Sequence, residues 1–403
     1  TELRPTGGFI GTYGILKMRD GQVVDFMTDD VYNLDRQSNP KTRPVTPLPM
    51  QKYLSQKLWY LRDVNWSPDF KEAAQLAVRF YHEEGGKEKN IDGVIAITPE
   101  IISSLLKIVG PLTVGQQTFT AQNLVDLLEW QVEVAYAQQG IAKQERKGII
   151  SGLAYKLMEN LHNVPLERWP GIIHEIKQDL DEKHILIYSN SDSLQAFLEA
   201  RNWAGRLALF GGDYLMAIDA NLAALKTDLV MKRQMTYELV KKNNGDLIAT
   251  AKIYYTNQGE SINWRTTRYR TYTRLYVPLN SVLMSSRGAM IKEKDARPGE
   301  VDIGEELGKT FFGVFIAIEP GETKVLEFQY KLPRAIQNLL AQNAYQLLIQ
   351  KQAGVQERDL TISLNLGKKI QGWYPTGFNV KANQNNVVWR TKLRADQLFG
   401  VRF

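Results

Sequence analysis

Arg19-Asp20-Gly21 stands between two mostly apolar runs, Phe9 to Met18 and Gln22 to Met27. Asp-Gly in that place specifies a tight β-hairpin, because glycine supplies the positive φ that a primed two-residue turn requires. The hairpin carries Arg4 ahead of its first strand and Asp29-Asp30 at the end of its second, with Arg36 one short loop later. Antiparallel pairing returns the end of one strand to the start of the other, so Arg4 is expected beside the two carboxylates at one rim. A cation next to paired acids suits a phosphate and divalent-metal site, where carboxylates offer hard oxygen ligands and guanidinium offers fixed donors. An ordinary rim salt bridge has the same composition.

The next segment, Asn39 to Pro49, is rich in proline and presents Lys41 and Arg43 on an extended loop, either toward that rim or to solvent. Ser67-Pro68 reads as a helix opening, with Ser as cap and Pro in the first turn. Ala73, Ala74, Leu76, Ala77, Phe80 and Tyr81 then give one buried helical face up to Gly85-Gly86. Arg62, Asp63 and Asn65 are therefore expected at a helix N-terminus, as anion ligands or as a cap network. Strands at Ile91–Ile97 and Ile185–Tyr188 alternate with helices opening at Thr98-Pro99, near Gln144, at Glu167 and at Asp192. Arg146, flanked by Lys143 and Lys147, falls in the first turn of the helix from Gln144 to Asn160, and such a turn is ordinarily a solvated end. The alternation predicts an α/β domain with a mixed central sheet over residues 1–210.

Gly211-Gly212-Asp213 marks a change of texture. Period-two alternation in Gln234–Val240 and Leu247–Tyr255, joined by Asn243-Asn244-Gly245-Asp246, is followed by apolar strands at Tyr269–Pro278, Thr310–Ile318, Thr323–Tyr330, Tyr345–Gln350 and Leu360–Leu366. Short strands spaced by Gly and Pro turns predict an all-β sandwich over residues 211–403. Arg265, Arg268, Arg270 and Arg274 alternate with Trp264, Tyr269, Tyr272 and Tyr276, the pattern of an edge strand whose arginines cover tyrosine rings or of a basic-aromatic binding stripe.

The totals narrow the chemistry. A net charge of +6 favours anionic partners, but it is spread over 403 residues without a polybasic arm, which argues against nucleic acid. With no cysteine there are no disulfides, thiolate ligands or thiol nucleophiles, a composition suited to an oxidising exterior. No apolar run approaches the roughly 20 residues that span a bilayer. His82, His162, His174 and His184 form no ligand pair, and neither a nucleophile elbow nor a P-loop occurs. Gly7-Gly8-x-x-Gly11 precedes a strand instead of opening a helix, which excludes a dinucleotide turn. The remaining chemistry rests on Arg, Lys and Asp, with or without a metal.

Several segments resemble the bacterial family catalogued as domain of unknown function 4012: ELRPTGGFIGTYGILKMRDGQV, RDVNWSPDF, IDGVIAITPEIISSLLKIVGPLTV, EKHILIYSNSDSLQAFLEARNWAG, GDYLMAIDANLAALKTD, YRTYTRLYVPLNS and ELGKTFFGVFIAIEPGETK. The resemblance implies an extracytoplasmic envelope protein, held by an N-terminal membrane anchor that would precede Thr1 and is absent from this chain. The first half is also similar in order to the LytR-CpsA-Psr glycopolymer transferases, through FMTDDVYNL, NWSPDFKEAAQLAVRFY, NIDGVIAITPEIISSLLKIVGPLTV and KQERKGIISGLAYKLM. That likeness would make Asp30 a Mg²⁺ ligand and Arg146 a pyrophosphate-binding group. The chain departs from the pattern at Asp29, where the family has arginine, at Ser67-Pro68, where it has Gly-Gly, and at Arg146-Lys147, where it has Arg-Gln. Two expectations follow. One is a non-catalytic binding or scaffold protein for a cell-wall or surface glycopolymer or for other envelope proteins. The other is a Mg²⁺-dependent transferase with Asp30 and Arg146 catalytic, and with Arg4, Arg36, Arg62 and Asp63 binding a polyprenyl diphosphate lipid. The second requires Arg4, Asp30 and Arg146 to gather in one pocket.

Overall fold

Asp20 and Gly21 take φ values of 51° and 76°, the paired left-handed conformations of a primed turn. The flanking strands, β1 (Thr12–Arg19) and β2 (Gln22–Asp30), pair antiparallel with Thr12 opposite Asp30 and Tyr13 opposite Asp29. A computed structural model of the chain describes residues 2–295 and 297–403. The chain divides into an α/β unit, Thr6–Thr46 with Lys57–Arg206, and a β unit, Thr1–Pro5, Pro47–Gln56 and Leu207–Phe403.

In the α/β unit the hairpin runs into α1 (Val31–Asp35), followed by α2 (Phe70–Glu83), β3 (Gly93–Ile97), α3 (Pro99–Val109), β4 (Leu112–Val114), β5 (Gln117–Phe119), α4 (Leu124–Trp130), α5 (Gly148–His162), α6 (Trp169–Asp181), β6 (Ile185–Ser189) and α7 (Asp192–Ala200). The strands pair only in twos: β1 with β2, β3 with β6 and β4 with β5, each antiparallel. The expected mixed central sheet is therefore not formed among the described residues. Alternation along a chain records which segments are extended, not which edges meet, and β3 meets β6 alone, Ile95 opposite Ile187. Two apolar clusters hold the helices, one around Leu105, Leu106, Phe119, Leu124, Leu153 and Ile172, the other around Val31, Leu34, Leu61, Val64 and Phe80. Helix α2 is capped by Asp69, whose carboxylate accepts from Lys71 N at 3.1 Å, and not by Ser67; the Ser67 hydroxyl instead accepts from Asp69 N at 3.2 Å.

The β unit consists of two seven-stranded, mostly antiparallel sheets. Its strands are β7 (Asp213–Asn221), β8 (Met231–Lys241), β9 (Leu247–Asn257), β10 (Tyr269–Pro278), β11 (Val282–Arg287), β12 (Asp302–Glu306), β13 (Lys309–Ile318), β14 (Thr323–Lys331), β15 (Ala344–Ile349), β16 (Arg358–Asn365), β17 (Gly372–Tyr374), β18 (Asn379–Ala382), β19 (Asn386–Leu393) and β20 (Gln397–Arg402). One sheet has the order β11-β14-β9-β8-β16-β19-β18 and the other β12-β13-β10-β7-β15-β20-β17. Strand β8 buries alternate residues, as a one-faced strand should. Met235, Tyr237, Ile253, Phe328, Ile362 and Trp389 of the first sheet share a core with Leu215, Leu275, Val314, Ile316, Leu347 and Phe399 of the second. The helix Leu48–Leu54 belongs to this unit, and Tyr53 stacks on Phe315 with ring centroids 4.1 Å apart. Strand β10 is the third of its sheet and not an edge. Its arginines are tied to acids, Arg274 to Glu306 at 3.0 Å, while Arg268 just ahead of the strand reaches Glu293 at 2.7 Å.

Asp213 begins β7 with no exposure, accepting from the hydroxyls of Tyr237 and Tyr345 and from Tyr214 N at 2.8 Å. Burial pushes its carboxyl up to about 6, against the opposing pull of these donors. A carboxyl raised in the folded state binds more protons there than when unfolded. Its contribution is therefore full below the unfolded value of 3.8 and is lost as pH rises toward about 6. Asp213→Asn is expected to remove a fall of about 2–3 kcal/mol across that window, measured by denaturant titration at stepped pH; an unchanged slope would mean that Asp213 stays ionised in the fold.

Candidate functional site

The hairpin places Asp30 at the end of β2, where it becomes the N-cap of α1 and accepts from Tyr32 N at 3.0 Å. Asp30 is buried, and its partner is Lys147, whose ammonium lies 2.8 Å from Oδ1 and also donates to Gly11 O. Lys147 precedes α5 and joins the hairpin base to a segment more than a hundred residues away. Its neighbour Arg146 turns elsewhere, to Glu133 at 3.1 Å and to the ring of Tyr136.

The two stretches GGFIG and RDVNW meet. Asn65 Nδ2 donates to Gly8 O at 2.8 Å, and Ile10 N donates to Arg62 O at 3.3 Å. Arg62 sits in the 3₁₀ turn Leu61–Asp63 ahead of α2 and pairs with Asp35 at 2.5 Å and with Asp63 at 3.4 Å. Its guanidinium lies over Tyr60 and Tyr32, and the ammonium of Lys147 also lies 5.6 Å from the Tyr32 ring centre. Arg36 is exposed and donates to Tyr32 O and to Asn33 Oδ1. Asp29 accepts from Asp30 N and from Asn33 Nδ2, both at 2.7 Å. Tyr13, opposite Asp29, is pushed up to about 12, first by burial and then by that carboxylate.

Of the predicted residues, the structure thus brings Arg62 and Asp63 together and sets Asp30 in a charge pair with an unpredicted cation. Arg4 belongs to the β unit, where it is buried and donates to Asn221 O and to Leu3 O at 3.2 Å. The expected neighbourhood of Arg4 and Asp30 rested on treating Leu3–Arg36 as one piece, whereas Leu3 and Arg4 are bonded into the sandwich. Lys147, Asp35 and Glu84 were missed. Arg43 is buried on the face of Phe80, 4.0 Å from the ring centre, and is not a solvated loop residue.

These residues do not fit Mg²⁺. A small hard cation takes carboxylate and water oxygens in octahedral array, and the Asp30 oxygen that would face it already carries an ammonium. Among the described residues no group of three His, Cys, Asp or Glu gathers as metal ligands. No helix among them is long and apolar enough to cross a membrane.

Residues 1–132 match the model of a family described as protein of unknown function (DUF4012). The match takes in the hairpin, the RDVNW stretch and α3, and ends before Lys147. No curated protein matches the chain. Among solved structures the chain is similar to a Legionella pneumophila protein described as nutrient-binding, at 6% identity and a TM-score of 0.32, over 47% of this chain and 71% of that one. It is similar to an M1 zinc metallopeptidase of Deinococcus radiodurans at 10% identity and a TM-score of 0.25, over 45% of this chain and 43% of that one. A protein of Parabacteroides distasonis described as a protease gives 10% identity and a TM-score of 0.25, over 43% and 41%. The chain spans less than half the length of these two peptidases, and scores this low carry no argument about fold or activity.

Proposed function

We propose, for a chain whose residues 1–132 match a family of unknown function, a non-catalytic binding or scaffold role at the bacterial cell envelope. The partner class is a cell-wall or surface glycopolymer or another envelope protein, met outside the cytoplasm. One observation carries the reading: the carboxylate that transferase chemistry would need is already neutralised by Lys147. Arg62 and Arg146 are likewise engaged with Asp35 and Glu133. Phosphoryl chemistry asks for cations aimed at the charge that develops on a leaving diphosphate. Cations committed to internal carboxylates offer little net field for it.

The test is calorimetric binding of a polyprenyl diphosphate with and without Mg²⁺, beside binding of purified cell-wall glycan, for the native protein and for Asp30→Asn. The variant keeps a capping oxygen. Glycan binding of equal strength in both proteins, with no Mg²⁺-dependent diphosphate binding, is the expected result. Saturable diphosphate binding that needs both Mg²⁺ and Asp30 would replace the scaffold with the transferase.

A further inference from the structure

Behind Arg62 the α/β unit encloses more acid than base. Asp35 on α1, Asp63 on the Leu61–Asp63 turn and Glu84 at the end of α2 are 5%, 3% and 1% exposed. Two guanidinium groups face them. Arg43 lies 3.3 Å from Glu84 Oε1, and Arg62 pairs with Asp35 and Asp63. The other charged groups here are Glu83 and Arg79 of α2. Glu83 takes Arg43 at 3.0 Å and Arg79 at 3.7 Å from the solvent side. Tyr60 and Tyr32 give ring faces to the arginines. Three buried carboxylates against two guanidinium groups leave one negative charge over, and a buried unpaired charge costs several kcal/mol.

The hydrogen bonding shows where that charge goes. Asp35 and Glu84 are near neighbours, for the Asp35 carboxylate raises the proton affinity of Glu84. Asp35 Oδ1 and Glu84 Oε2 are sealed from solvent and find no donor. Two bare carboxylate oxygens repel. One proton between them supplies the missing donor and brings the buried set to balance, as in other carboxyl pairs that cannot both ionise. Glu84 Oε1 meanwhile accepts from Leu61 N at 2.9 Å, so the same side chain holds the turn that carries Arg62.

We propose that Asp35 and Glu84 share one proton that pins a clasp: while it is held, α1, the Leu61–Asp63 turn and the end of α2 stay joined, and its loss lets the turn part from them. Burial and the Asp35 carboxylate push Glu84 from 4.5 up to about 8. The closed state thus binds more protons than an open state in which Glu84 is hydrated. Opening is rarest below the ordinary carboxylate range, grows with rising pH, and levels off once the closed pair has lost its proton at about 8. Asp179 in the same unit is pushed by burial only to about 6, and Asp213 also only to about 6, below the value for Glu84.

The experiment is amide hydrogen exchange over residues 59–65 between about pH 6.5 and 8, corrected for intrinsic exchange, in the native protein and in Glu84→Gln. The glutamine amide donates to Asp35 Oδ1 without titrating. The native protein is expected to raise its opening constant by up to ~tenfold per pH unit, and Glu84→Gln to show a flat line. Equal slopes, or no slope in the native protein, would overturn the clasp. Should Glu84→Gln fail to fold, infrared titration of the native protein decides: a protonated-carboxyl band that persists at pH 7 and fades toward about 8 upholds the shared proton, and its absence at pH 7 refutes it.

Discussion

Replacing Lys147 with methionine is expected to destabilise the α/β unit by about 3–5 kcal/mol, the usual cost of stripping one partner from a buried ion pair. The side chains of Lys147 and Asp30 are only 10% and 4% exposed, so water cannot replace the lost cation, and Gly11 O loses its donor as well. Asp30→Asn alone keeps an oxygen for Tyr32 N but leaves the ammonium without a counter-charge. The double variant Asp30→Asn with Lys147→Met removes both charges and is expected to recover much of the loss. The sum of the single effects should exceed the double by more than about 1 kcal/mol. Denaturant titration of the four proteins measures this. If each single change costs under about 1 kcal/mol, the pair behaves like a screened surface bridge. Asp30 would then be free for a ligand, against the scaffold reading.

Asp219→Ala should cost the β unit as much or more. Its carboxylate has no exposure and accepts from Tyr255 at 2.5 Å, Thr273 at 2.9 Å, and Arg233 and Arg358 at 3.1 Å each. Burial works to raise its proton affinity, but the guanidinium groups of Arg358 and Arg233 outweigh it and hold the carboxyl below its ordinary range. A depressed carboxyl contributes stability that is present above the unfolded value of 3.8 and lost as pH falls through the lower folded value. Alanine leaves two guanidinium groups in the core with one fixed anion fewer. A loss of at least about 3–5 kcal/mol is expected, with the acid limb of unfolding moved to higher pH, as read from near-ultraviolet circular dichroism. A variant that kept its midpoint within about 1 kcal/mol would show that Asp228, beside Arg233, carries the charge balance alone.

What could be read in the residues was local. Asp20-Gly21 forms its hairpin because a two-residue primed turn needs nothing from the rest of the chain. Asn244-Gly245 between two alternating runs likewise gives β8 and β9, with Tyr237 opposite Ala251. Thr98-Pro99 and Gly110 bracket α3. What could not be read was pairing over distance. Strand and helix alternate before residue 206, yet β3 and β6 form a two-stranded ladder and no central sheet. The acid of the hairpin was legible and its cation was not: Lys147 sits beside the arginine that similarity favoured, in a turn whose charges look solvated. The unknown partner was a tertiary contact, and neither period nor spacing encodes one. The partner of Arg43 was hidden for the same reason, since nothing in the Pro-rich loop foretells the ring of Phe80.

The way the backbone is dealt between the two units has a consequence for synthesis. A ribosome releases residues 2–5 and 47–56 well before 207–403, which complete their sandwich. Those early pieces wait, unsheltered, while the α/β unit is made between them and their destination. Nicking the polypeptide after Arg206 would therefore not yield two self-sufficient halves: the trailing one would be missing the ring that stacks on Phe315 and the guanidinium that reaches Asn221.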